Sequence, residues 1–487
     1  MSYTDSTESS ASETNVSARS HGLFSASFWR DQIMQPRGVW EVARLAAPLV
    51  VSSASFALMN FADRVYLARF DQRGMTAAFQ AGCLLWALIT FPTGIATFTN
   101  AFVAQYFGAN ERRKIGLIVW QGVFFGLATG LLYVAATPLV EKLFLALKAA
   151  PDLARMERNY WFFFSLGASA AIGHEPLTSY FSGQKDMKTV MWLGLAAVVL
   201  NAVLDPILIF GINGKLRLGV EGAAIASAIA MWFKFFAYLV VAFLRDRRED
   251  AGLRSNFRFD RHETKRLLRY GAMSGLQSTS ENLCFTLFVL VMGWFGEGAS
   301  AAAAIAFNLD CLAFVPIVGL GITATTLVGN DVGAKRFDLA SRGAYVAAAI
   351  GVVITGFFMV AFCVAPNFFL NIYAGDSESF EEIRGLAVMA LRFVSFYMFF
   401  DCLNVVFASA LRGAGDAKFI MLTTIVVSGL TYVALLIGLG VFRFGLNWNW
   451  ICLAFYVVLN SCAFVIRFAR GAWKKGSLVE DAAIVAA

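Results

Sequence analysis

Long apolar runs separated by short polar connections dominate this chain, and about twelve of the runs are long enough to cross a bilayer as helices. They fall at 43–69, 77–107, 115–138, 159–182, 188–211, 221–244, 267–295, 300–330, 340–364, 386–412, 418–441 and 447–468. A helix rises ~1.5 Å per residue and the hydrocarbon core is ~30 Å thick, so each run can span it with some tilt. The pattern predicts an all-α integral membrane protein with 12 transmembrane helices. Several runs carry an Asp or Glu far from either end. Such a residue costs at least ~2.5–3.5 kcal/mol by insertion scales and persists where it meets an ion, a proton or a substrate.

Two short motifs recur in the same order in each half, each at one end of a run. Val103–Ala109 reads VAQYFGA and Val328–Ala334 reads VGNDVGA, while Gly183, Asp186 and Lys188 form a GxxDxK that returns at Gly413, Asp416 and Lys418. The equivalent positions lie about 225 and about 230 residues apart, the sign of an internal duplication. Six spans per half leave both halves in one orientation, so two six-helix lobes related by pseudo-twofold symmetry about the membrane normal are expected. Locally the motifs read as turn chemistry, with Gly108, Gly183, Gly333 and Gly413 ending helices near the headgroups. The expected organisation is a cytosolic N-terminal tail over 1–40, an N-lobe over 41–244, a basic linker over 245–266, a C-lobe over 267–468 and a cytosolic tail over 469–487. The linker reads as a solvated, lipid-facing segment.

Composition sharpens this reading. The 487 residues are 58% hydrophobic and only 15% charged, with a mean hydropathy of +0.64, well away from soluble domains at roughly 25% charged. The net charge of +7 does not point to nucleic acid, because Lys and Arg are scattered through short connections instead of forming one patch. They are concentrated on the side of the N-terminal tail, which by the positive-inside rule places both termini in the cytoplasm and turns the acidic loop of Asp376, Glu378, Glu381 and Glu382 outward. Met1–Ser20 is rich in Ser, Thr and Glu and lacks the basic start and apolar core of a signal peptide, so a disordered tail is expected there. The seven cysteines, at 83, 284, 311, 363, 402, 452 and 462, lack metal-ligand spacing and are expected to act as small core hydrophobes. His21 and His262 lie in polar segments and only His174 is expected to be buried.

Counting inward from the outer ends at ~1.5 Å per residue places Asp63, Asp205 and Ser227 at a common depth of about 9 Å. Asn201 precedes Asp205 by one turn and shares its face, so Asp63, Asn201, Asp205 and Ser227 form a candidate sodium or proton site. Pro206 lacks an N–H and leaves the Ala202 carbonyl without its helical partner, freeing one more oxygen. The alternative is that Asn201 and Asp205 merely join helices by hydrogen bonds. Arg64 should point about 100 degrees away from Asp63 around the helix. In the other half Glu281 and Asp401 reach mid-membrane and could line one cavity, where burial and proximity suit proton exchange or release of a cationic drug. Asp310 and Glu175 are further candidates for a substrate cavity, although Pro176 could explain Glu175 through freed backbone groups, and Lys234 is expected to snorkel towards the cytoplasm. Some of the 47 Phe residues could wall a cavity for flat organic cations.

These segments together resemble the multidrug and toxic compound extrusion (MATE) family over most of residues 40–468. The likeness is carried by AFVAQYFGANERRKIG from Ala101, VLNAVLDPILIFG from Val199, LGVEGAAIASA from Leu218, VGNDVGAKR from Val328 and FDCLNVVFASALRGAGDAK from Phe400. The resemblance implies two facing lobes, a cleft open to one side at a time, and antiport of organic cations against Na+ or H+, with no other cofactor. It places Asp63, Asn201 and Asp205 at the family's cation-site positions, with Ser227 where a Thr is usual. Glu281 and Asp401 match the acidic positions of the NorM-like branch. Arg64 beside the first-lobe Asp, and the additional Asp310, depart from the pattern. The expected partners are small organic cations and membrane lipid, with no nucleic acid, and the protein is expected to act as a monomer in the cell (inner) membrane. A flippase for lipid-linked oligosaccharides or cell-wall precursors could share the architecture, but its pyrophosphate cargo would call for Arg and Lys in the cleft. A channel or signalling protein is a third class, disfavoured by the asymmetric placement of acids. No nucleophile triad, metal cluster or phosphate loop points to an enzyme.

Overall fold

The computed structural model describes residues 35–70, 72–146, 151–211, 217–372 and 378–479. The N-terminal tail before residue 35, the Arg64 side chain and the acidic loop around Asp376 lie outside the described residues. Among the described residues fifteen α-helices follow one another: α1 (Val39–Phe70), α2 (Gln72–Thr97), α3 (Thr99–Gly108), α4 (Arg112–Ala135), α5 (Thr137–Ala146), α6 (Pro151–Ser182), α7 (Met187–Phe210), α8 (Val220–Glu249), α9 (Arg261–Trp294), α10 (Glu297–Gly333), α11 (Phe337–Val364), α12 (Pro366–Leu370), α13 (Glu378–Gly413), α14 (Ala417–Gly440) and α15 (Leu446–Ala469). Each of the predicted spans is helical, the second being divided into α2 and α3 at Phe98, six residues after Pro92.

Ten of the described spans are long and apolar enough to cross a membrane. The two long helices that fall short on apolarity are α6 and α9, and these carry His174–Glu175 and the polar run Gln277–Asn282. Polar residues in such helices need partners inside the bundle.

The pairing of helices repeats between halves. In the first lobe α1 packs on α7, α4 on α6 and α6 on α8; in the second, α9 packs on α14, α11 on α13 and α13 on α15. Between the lobes α2 meets α9, and its counterpart α10 meets α1. At the first of these crossings a Cβ on Gly94 would lie 2.6 Å from Gly275 Cα, so only glycine permits the approach. Small residues let helices pack closely where lipid offers no hydrophobic drive.

At the face that bears residues 35–38 and 470–479, the recurring motifs do more than end helices. Gln105 Nε2 donates to the Gly413 carbonyl at 2.8 Å, and Asn330 Nδ2 donates to the Gly183 carbonyl at 2.9 Å. A Cβ on Gly108 would collide with the Asn330 carbonyl, and one on Gly333 with the Gln105 carbonyl. Gln105 corresponds to Asn330, Gly108 to Gly333 and Gly183 to Gly413, so each lobe makes the same contact to the other. The GxxDxK acids act within their own lobes: Asp186 pairs with Arg245 at 2.6 Å and Asp416 with Arg467 at 2.8 Å, tying the last helix of each lobe to the turn. A buried ion pair also ties the segment before α1 to the second lobe, with Arg37 Nε at 2.6 Å and Nη2 at 2.7 Å from the Asp331 carboxylate.

Residues 250–260 are docked instead of merely solvated. Trp120 Nε1 donates to the Leu253 carbonyl at 2.7 Å, Gly116 N to the Ala251 carbonyl at 2.9 Å, and Gln121 Nε2 to the Arg258 carbonyl at 3.0 Å, while Ala251 and Leu253 are fully buried. After α15 the chain stays in the assembly: Trp473 and Leu478 are buried, Leu478 N donates to Gln105 Oε1 at 2.7 Å, and Arg266 reaches the Leu478 carbonyl. His174 is buried as expected. The cysteines depart from expectation, since only Cys284, Cys402 and Cys452 are buried while Cys83, Cys311, Cys363 and Cys462 are exposed. Sulfhydryls are apolar enough to sit on a helix face turned to lipid, so hydropathy alone does not separate the two places.

Candidate functional site

Two groups of membrane-embedded polar residues stand out, one in each lobe. In the first, α7 presents Asn201 and Asp205 on one face, both fully buried, because they are four residues apart. Helix α1 packs against this face and brings Asp63 to it. With its nitrogen turned to the acids, the Asn201 amide donates to Asp205 at 3.3 Å and to Asp63 at 3.2 Å. One amide thus bridges the two carboxyl groups. Two carboxylates gathered on one amide repel each other unless a proton or a cation lies near them. Oxygen donors from two carboxylates and an amide suit a hard monovalent cation as well as a proton. Ser227 is buried on α8, but among the described residues no hydrogen bond joins it to Asn201 or Asp205.

The second group lines a cavity of about 670 Å³ among α9, α10, α13 and α15. Its carboxyl groups come from Glu281, Asp310 and Asp401, and its walls include Phe285, Phe307, Phe314, Tyr397 and Tyr456. Tyr397 Oη donates to Asp310 Oδ2 at 3.2 Å, Asn404 Nδ2 donates to Asp401 Oδ1 at 3.3 Å, and Gln277 Nε2 donates to Glu281 Oε1 at 3.0 Å. Arg412 supplies the positive charge of this cavity, and its Nη2 donates to Gln277 Oε1 at 3.1 Å. Three carboxyl groups and one guanidinium give the cavity a mainly acidic lining, in a volume that accepts a drug-sized ligand.

Asp310 therefore shares one cavity with Glu281 and Asp401. Glu175 does not line it. It lies on α6 in the first lobe, with Oε1 3.6 Å from His174 Nδ1 and within electrostatic reach of Lys234 on α8. Lys234 is expected to snorkel towards the cytoplasm, and among the described residues no hydrogen bond or ion pair decides where its ammonium lies. Gln277, Tyr397 and Arg412 were not singled out from the sequence. For Arg412 a signal was present: it occupies the position before the motif glycine where the first half has Ser182, a charge that the repeat does not require.

A model of the MatE family matches residues 48–207 and 274–437, one segment in each lobe and two thirds of the chain together. The chain belongs to the MatE family. Among curated MatE relatives, the probable multidrug resistance protein NorM of Bradyrhizobium diazoefficiens is 26% identical over 440 residues, covering 90% of this chain and 91% of its own. The multidrug resistance protein PmpM of Pseudomonas aeruginosa is 27% identical over 392 residues, covering 79% and 80%. Among solved structures, an outward-facing multidrug resistance MATE transporter superposes with a TM-score of 0.78 at 20% identity, covering 92% of this chain and 98% of its own. A MOP superfamily transporter from Pyrococcus furiosus, described as having a binding pocket of reverse polarity, gives 0.79 at 20% identity, with the same coverage. The fold is therefore that of the MATE transporters, with 12 transmembrane helices in two lobes.

Proposed function

We propose that this MatE protein is a secondary active exporter of cationic amphipathic compounds, exchanging them for Na+ or H+ by alternating access. The second-lobe cavity carries the reading: an aromatic-walled space of about 670 Å³ with three carboxyl groups suits a flat organic cation better than an anion. The names of the NorM and PmpM relatives support export of drugs. The distribution of Lys and Arg supports a cytoplasmic membrane location with both termini inside, so the face bearing the motif contacts would be the cytoplasmic one. Substrate enters from the cytoplasm or inner leaflet, and a coupling ion arriving from outside neutralises the acids and disfavours the cation. Asp63, Asn201 and Asp205 are the oxygens that would hold that ion or proton in the first lobe.

The flippase remains the second reading, and the acidic cavity weighs against a pyrophosphate cargo. Efflux of a fluorescent organic cation from proteoliposomes under imposed Na+ or H+ gradients tests the choice. Gradient-driven efflux that is lost in Asp63→Asn or Asp401→Asn establishes the exporter and its ion. Folded protein that transports under neither gradient refutes it.

A further inference from the structure

Arg412 stands at the junction of the two features described above, the acidic cavity and the reciprocal motif contact. On its cavity side, Nη2 donates to Gln277 Oε1 at 3.1 Å, and the same Gln277 amide donates to Glu281 Oε1 at 3.0 Å. On its other side the next residue is Gly413, whose carbonyl accepts from Gln105 of the opposite lobe at 2.8 Å. Gln105 is in turn fixed by Leu478 N at 2.7 Å. Among the described residues none accepts a hydrogen bond from the buried Arg412 Nε, which leaves the bond from Nη2 to Gln277 as the contact that joins the guanidinium to the acid side of the cavity. The counterpart in the first lobe is neutral: Ser182 donates to Asn100 Oδ1 at 3.0 Å, with no charge leading into a cavity.

We propose that Arg412 is a positioning residue through which the charge on Glu281 sets the closure of the face formed by Gln105, Gly413, Asn330 and Gly183. While Glu281 is ionised and free of cation, it holds Arg412 through Gln277, which fixes the last turn of α13 and aims the Gly413 carbonyl at Gln105. A cation bound at Glu281, whether coupling ion or substrate, cancels that attraction and repels the guanidinium. The last turn is released and the face can open. An exchanger needs this logic, because isomerisation of the empty carrier would dissipate the driving gradient, and a ligand shifts such an equilibrium only through its differential interaction with the two states. The place of the device in a transport cycle rests on the exporter reading; the linkage between Glu281 and the motif contact does not.

Hydrogen exchange of the full-length protein in detergent, without substrate or gradient, tests it. Glu281→Gln mimics the neutralised acid and should raise exchange over 103–109 and 328–334 by about tenfold, with exchange in α4 unchanged. In an Arg412→Gln background exchange should already be raised, and adding Glu281→Gln should change it by less than about twofold, the mark of two residues acting in one chain. Arg412→Lys, which keeps the charge but loses the planar fork, should restore part of the response to Glu281→Gln. Gln105→Ala breaks the contact directly and reports whether exchange senses it. If Gln105→Ala raises exchange while Glu281→Gln does not, or if Glu281→Gln acts equally in both Arg412 backgrounds, the coupling role is overturned. Either result leaves the efflux test of the exporter to be decided separately.

Discussion

The Arg37–Asp331 pair shows how much one buried contact can matter. Both side chains are almost wholly removed from solvent, and the guanidinium fork meets both carboxylate oxygens, while Arg336 adds a longer contact at 3.2 Å to the same acid. Removing Arg37 leaves the buried Asp331 carboxylate with only the half-exposed Arg336 as a partner, a loss below the ~3–5 kcal/mol of a wholly unpaired buried charge, whereas replacing both with apolar residues is often neutral. Arg37→Ala should therefore lower the thermal transition clearly, while Arg37→Met combined with Asp331→Leu should recover most of the loss, measured by tryptophan fluorescence in detergent. A double variant no more stable than Arg37→Ala would contradict the pairing. Lys185, in the turn before α7, adds a pH signature: burial first and Arg37 second push its pKa below the ordinary lysine value. A depressed pKa means the folded protein binds its proton less well than the unfolded chain, so the stability linked to Lys185 rises with pH up to the unfolded value of about 10.4 and is lost as pH falls through the folded value. Measured against Lys185→Gln, the wild type should gain transition temperature between neutral pH and about pH 10. A constant difference would show that the group does not titrate in that window.

At the scale of elements, the helices were legible because hydropathy and length set them, and the duplicated motifs announced the two lobes. Asn201 and Asp205 could be paired from their spacing, and Asp63 from its depth, since helical geometry fixes both quantities. Four things were not legible. The docking of 250–260 on α4 depends on Trp120 and Gln121 facing the loop, which no local pattern declares. Ser227 matched its partners in depth, but rotation about the helix axis decides contact and hydropathy does not report it. Arg412 near a helix end resembles any snorkelling arginine until Gln277 is seen beside it. The motif glycines looked like helix terminators, and the reciprocal contact appears only when the lobes are brought together. It carries a prediction: Gly108→Ala and Gly333→Ala each force a Cβ onto a carbonyl of the other lobe and should impair transport to a similar degree at normal membrane insertion. Gly356→Ala, where a Cβ meets nothing within 4 Å, is the control expected to transport normally. Unequal effects of the two motif substitutions would show that the halves do not bear the closing contact equally.

For the molecule as a whole, the decisive feature is that the acids are divided between lobes with different surroundings. The group of Asp63, Asn201 and Asp205 is compact, its acids bridged by one buried amide, whereas Glu281, Asp310 and Asp401 are spread around an open, aromatic-walled space. On the proposed function a small ion or a proton would occupy the first and an organic cation the second, and coupling would then pass between lobes through their shared packing. Loss of the first site should then remove the response to the gradient while leaving equilibrium binding of a fluorescent cation to purified protein nearly intact in Asp63→Asn. Asp401→Asn should weaken that binding by about tenfold, the effect of losing roughly 1.4 kcal/mol of charge attraction. The voltage dependence follows from the same division. Exchange of one monovalent cation for one Na+ or H+ moves no net charge and should be indifferent to membrane potential, while a neutral substrate should gain ~2.3 kcal/mol per 100 mV, about fiftyfold in accumulation. If Asp63→Asn abolishes cation binding as fully as Asp401→Asn does, the two groups form one site in the working protein, and the division of labour between the lobes is wrong.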